Sequence, residues 1–124
     1  METNRKKLPV IANKCEFDGY DVSKLLKETS TIRDLITKRA TLEILFPLCC
    51  TTESVRHKQF KKSLKGISSK TLSTRLSELV SEGILTRETF AEVPPRVEYR
   101  LTQKGQELIE SITDLLNWMK KWSK

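Results

Sequence analysis

Residues 66–85 read GISSKTLSTRLSELVSEGIL, and residues 93–105 read VPPRVEYRLTQKG. In the first stretch Leu72, Leu76, Leu79 and Val80 recur at i, i+4, i+7 and i+8, the apolar stripe of an amphipathic helix. Ser68 stands ahead of it as an N-cap, its hydroxyl placed to accept a free backbone N–H of the next turn. Gly83 is an ordinary stop. The spacing predicts a helix over 69–82. After Gly83 the period drops to that of a strand. Residues 84–90 form one strand and 96–101 the return, with Val97, Tyr99 and Leu101 on one face and Arg96, Glu98 and Arg100 on the other. Between them Pro94 and Pro95 forbid strand pairing, so 91–95 is a turn.

Upstream, residues 56–64 predict a short helix with Phe60 and Leu64 facing inward. Residues 65–67, with Gly66, make a tight connection. Two helices joined by a short Gly-containing turn are a helix-turn-helix, and a hairpin directly behind makes it a winged helix. The fold class is therefore mainly α with a small β-hairpin (α+β). Asp21 caps a helix holding Val22, Leu25 and Leu26. A second carries Ile32, Leu35 and Ile36. A third spans 41–50 with Leu42, Leu45, Phe46 and Cys49, and Pro47 is expected to kink or end it. Residues 51–54 read as a loop. Thr102 caps a long last helix over 103–122. Residues 1–20 show no steady period and are expected to be loosely ordered, leaving 21–124 as the domain.

The chain has 124 residues and a net charge of +7, from 23 Lys+Arg against 16 Asp+Glu. Such an excess favours a polyanionic partner. Its distribution is more informative. From residue 54 to 77 there is no acid, yet there are seven bases: Arg56, Lys58, Lys61, Lys62, Lys65, Lys70 and Arg75. These lie on the two helices of the helix-turn-helix and, for Lys65, on the connection between them. A helix about 10–12 Å across fits a major groove about 12 Å wide. The outward face of the 69–82 helix carries Lys70, Thr71, Ser73, Thr74 and Ser77, with Arg75 at the flank. Short hydroxyls let a helix sit deep in the groove, and long basic side chains reach phosphates. The residues expected to meet double-stranded DNA are Ser68, Ser69, Lys70, Thr71, Ser73, Thr74, Arg75 and Ser77, joined by Lys58 and Lys62 from the preceding helix.

The run from Phe60 to Leu76, then Leu79, Gly83-Ile84-Leu85, and residues 93–105 resembles the HxlR-type winged-helix regulators, a family related to the MarR group. The resemblance implies a homodimeric, cytoplasmic, nucleoid-associated transcriptional regulator of bacterial or archaeal type. It implies a recognition helix at 69–82 and a wing over 84–101 with its tip near 92–96. Arg96 is then the wing candidate for a phosphate or minor-groove contact; the alternative is a cross-strand ion pair with a neighbouring Glu. The sequence departs from the family pattern where Thr37-Lys38-Arg39-Ala40 replaces a Gly-Gly-Lys-Trp segment, and at Pro47. No Cys stands near Lys27–Glu28, where redox-sensing members carry one, so the resemblance brings no redox role with it.

On the last helix Leu108, Ile112, Leu115, Met119 and Trp122 are spaced 4-3-4-3, a heptad seam suited to a second copy of the chain. Ile109 and Leu116 widen the stripe toward the domain's own core. Other chemistry is missing from the sequence. His57 is the single histidine, and no Cys-x-x-Cys, phosphate-binding Gly loop or Ser–His–Asp pattern occurs. Adjacent Cys49 and Cys50 read as small apolar packing groups, and Cys15 falls in the loose segment. We therefore expect no catalytic residue, metal or cofactor, and leave any small-molecule or redox effector open. No apolar run approaches the ~18 residues of a membrane span, and the N-terminus does not read as a signal peptide. Two further readings stand beside the sequence-specific regulator: a non-specific architectural DNA binder and a winged helix used as a protein–protein module.

Overall fold

A computed structural model describes residues 16–17, 20–49, 51 and 53–124. Cys15, Cys50 and most of the expected loose segment 1–20 lie outside the described residues. Chain contacts group the residues up to Asp34 into one unit and Leu35–Lys124 into another.

In the first unit β1 (Glu16–Phe17) and β2 (Tyr20–Asp21) pair antiparallel. Helix α1 (Val22–Glu28) follows, capped as expected by Asp21, whose carboxylate accepts from Lys24 N–H at 3.2 Å. Helix α2 (Ser30–Thr37) crosses into the second unit, where Leu35 is buried.

The second unit is built on α3 (Thr41–Cys49), α4 (His57–Ser63) and α5 (Ser69–Ser81). Its sheet combines β3 (Val55–Arg56), β4 (Leu85–Phe90) and β5 (Arg96–Leu101) in the order β3-β5-β4. It closes with α6 (Gln103–Trp122). Ile44, Leu45 and Leu48 of α3, Phe60 of α4, and Leu72, Leu76 and Leu79 of α5 meet Ile84, Leu85 and Tyr99 in one core. The Phe60 and Tyr99 rings pack edge-on at 6.2 Å, the geometry their quadrupoles favour.

Three local readings change. Helix α3 runs through Pro47 to Cys49. A proline removes one main-chain bond, and two more helical residues follow it, so the buried Ile44, Leu45 and Leu48 still fix the helix. Cys49 is exposed rather than packed. Part of the expected start of α4 is instead β3, which pairs Val55 with Tyr99 and Arg56 with Glu98.

Candidate nucleic-acid interface

The turn between α4 and α5 is set by sequence. Gly66 adopts φ +86°, where a side chain is strained. Ser68 then caps α5, accepting from Thr71 N–H at 3.0 Å and donating to Thr71 Oγ1 at 3.0 Å. The buried Leu72, Leu76 and Leu79 fix the rotation of α5 about its axis. Ser69, Lys70, Ser73, Thr74 and Ser77 are consequently exposed together on the far side, with Lys58 and Lys62 exposed on α4. Thr71 is half-buried in the cap.

Arg75 departs from the expected flank position. It is buried at 9% exposure, donating from Nε to the Arg39 carbonyl at 2.9 Å and from Nη1 to Glu78 at 2.6 Å. Helical spacing places it one position from Leu76 and Leu72's side of the wheel, and the guanidinium finds an acid and a carbonyl there rather than solvent. Arg96 is also engaged within its own hairpin. Its guanidinium lies 3.2 Å from both Glu92 and Glu98 and 4.1 Å over the Phe90 ring. Nε faces the Glu98 carboxylate without completing a hydrogen bond. Glu98 additionally accepts from the Ser54 hydroxyl. Arg96 thus pairs with neighbouring glutamates, as the alternative expected, but with one in the turn and one on its own strand rather than across the strands.

The remaining charges sort by face. Glu78 is paired with Lys38 at 2.9 Å as well as with Arg75, and Glu82 lies 3.8 Å from Lys104. These donors hold the Glu78 carboxyl below its ordinary value, with the Lys38 hydrogen bond the largest cause. In contrast, Lys58, Lys61, Lys62, Lys65 and Lys70 form no ion pair among the described residues. Glu78 of α5 and Glu82 just after it are paired behind the helix, while the bases in front stay available for phosphates.

Sequence reasoning passed over Arg87 and left His57 without a role. Both line a groove beside α5, with Ser73, Ser77, Val80, Val97 and Tyr99. The missed signal is alternation: Arg87, two residues on from the buried Leu85, shares its side of the sheet, yet it is exposed where the core gives way to the groove. Burial, then Lys61 and Arg87, push the His57 pKa below its usual 6.5.

Helix α6 starts one residue after β5. Thr102 accepts from Gly105 N–H at 3.0 Å and donates to the Gly83 and Ile84 carbonyls at 2.6 and 3.1 Å. Of the expected seam, Ile112 belongs to this chain's own core at 7% exposure, beside Ile109 at 4%, and Leu108 is half-buried. The last turns differ. Leu115, Trp118, Met119 and Trp122 are exposed at 51, 59, 47 and 68%.

Comparison with known proteins agrees with this architecture. The HxlR-like helix-turn-helix family model matches residues 35–124. The chain is 35% identical over 89 residues to YvaP of Bacillus subtilis strain 168, an uncharacterised HTH-type transcriptional regulator, covering 72% of this chain and 81% of that one. Among solved structures, a chain from Porphyromonas gingivalis W83 assigned to the MarR family of regulators superposes with a TM-score of 0.66 at 26% identity, over 90% of this chain and all (100%) of that one. The reduced form of the transcriptional regulator YodB from B. subtilis superposes with a TM-score of 0.67 at 28% identity, over 78% and 93% of the two chains. With its helix-turn-helix, wing and terminal helix all inside the matched region, this chain belongs to the HxlR-like helix-turn-helix family.

Proposed function

We propose that this DNA-binding transcriptional regulator works as a homodimer that seats α5 of each copy in successive major grooves, with each wing along the adjoining backbone. The observation that carries the reading is the acid-free face of α5 and α4, backed by a core that fixes its rotation. Ser69, Lys70, Ser73, Thr74 and Ser77 supply base-edge and phosphate contacts there, and Lys58 and Lys62 supply phosphate contacts. Pairing is supported by the exposed row Leu115, Trp118, Met119 and Trp122, whose i, i+3, i+4, i+7 spacing is a coiled-coil face. A second copy would remove it from water.

On this reading the protein works in the cytoplasm, on the nucleoid, and performs no catalytic step. Among the described residues no helix is long and apolar enough to cross a membrane. Selection of bound fragments from a genomic library by the purified full chain tests the proposal. The expected result is enrichment of an inverted repeat whose half-sites lie about one helical turn, ~34 Å, apart. Enrichment of no sequence over bulk DNA would favour the architectural reading instead.

A further inference from the structure

The groove between α5 and the wing has a volume of about 430 Å³ and an unusual lining. Arg87 occupies a position whose strand neighbour Leu85 faces the core, and its cross-strand partner is the buried Tyr99. Arg87 is itself exposed where it lines the groove, and it has no ion-pair partner among the described residues. Opposite it, His57 Nε2 lies 3.4 Å from Ser73 Oγ on α5, and its ring centroid is 6.4 Å from that of Tyr99. The charged and titratable groups facing His57 are Lys61 of α4, Arg87 of β4 and Tyr99 of β5. None of them is an acid.

Topology says what such a cavity receives. With α5 in a major groove and the wing beside the next minor groove, the DNA strand dividing the two must cross between them. We propose that His57, Ser73, Ser77 and Arg87 form a clamp for one backbone phosphate of that crossing strand. The clamp rests on the proposed seating of α5. It positions the helix without reading sequence, since phosphate contacts fix register while base edges carry specificity.

Free His57 is biased toward its neutral form by burial and by two neighbouring cations. A phosphate opposes that bias, so the complex takes up a proton and binding tightens as pH falls. Because the chain has one histidine, its ring resonances are unambiguous in NMR spectra.

The test uses the full chain with a duplex selected by the wild type and a scrambled duplex of equal length. Arg87→Ala should weaken both complexes about equally, roughly tenfold, and flatten log K against log salt by about one unit of slope. The His57 pKa should rise on adding duplex, and His57→Gln should abolish the tightening between pH 7.5 and 5.5. An unchanged salt slope in Arg87→Ala, or an unmoved His57 pKa, overturns the clamp. So does a His57 shift on titrating the free protein with low-millimolar inorganic phosphate, which would mark a free-anion site. A wild type that binds both duplexes equally overturns the sequence-specific reading alone, because the Arg87 slope is still read on either duplex.

Discussion

Gly105 stands where the first turn of α6 passes over the end of α5 and the start of β4. A Cβ there would collide with the Ile84 carbonyl oxygen and lie 2.9 Å from Leu101 Cδ2. The Ile84 carbonyl has no room to retreat, because it accepts from Thr102 N–H at 3.0 Å and from the Thr102 hydroxyl. The glycine is needed for close approach rather than for backbone freedom. Gly105→Ala should therefore destabilise by about 1–3 kcal/mol, the usual cost of overpacking. Chemical denaturation of the two proteins measures this, and an unchanged midpoint would contradict it. Arg75 teaches the complementary lesson. Its type and spacing suggested a surface cation, but a guanidinium reads as surface only until an acid three residues on and a carbonyl from a distant turn are brought to it.

At the scale of elements, Arg75 and Glu78 tie the rear of α5 to the turn before α3, through the Arg39 carbonyl and Lys38. Lys38 and Arg75 favour the ionised form of Glu78, so its folded pKa is depressed from the ordinary 4.5. The stabilisation it gives is complete above that value and disappears as pH falls through the folded value. Glu78→Gln should thus lower the melting temperature at pH 7, with the gap to wild type closing toward pH 3. Thermal melts across that range check it; a gap constant with pH would assign the effect to packing instead. The helices, the wing and the outward face of α5 were legible because their signals are local: period, caps and turn residues. Strand β3 was not, since two residues carry no period and pair only through β5, which is remote in sequence. The place of Arg87 in the groove was hidden for a related reason. Alternation was readable along β4, but where the core ends and a groove begins depends on α5. Pro47 misled because its local cost is outweighed by the buried side chains on either side of it.

For the whole molecule, the proposed dimer rests on the last turns of α6. The heptad 4-3-4-3 was visible, but periodicity does not say which chain a stripe packs against. Ile109 and Ile112 are buried within this chain, and the exposed row begins at Leu115. Leu115→Glu with Met119→Glu should leave the fold intact while giving a monomer in analytical ultracentrifugation. Half-site binding should persist at much lower affinity. A double variant that still sediments as a dimer would move the interface elsewhere. The same row holds both tryptophans of the chain, Trp118 and Trp122, each more than half exposed. The tryptophan fluorescence of this protein, excited where tyrosine does not absorb, is therefore an optical gauge of its terminal helix alone. On dilution its emission should shift to the red as the subunits separate, while the circular-dichroism signal, set by all the helices together, holds, so that the two signals from one sample separate dissociation from unfolding.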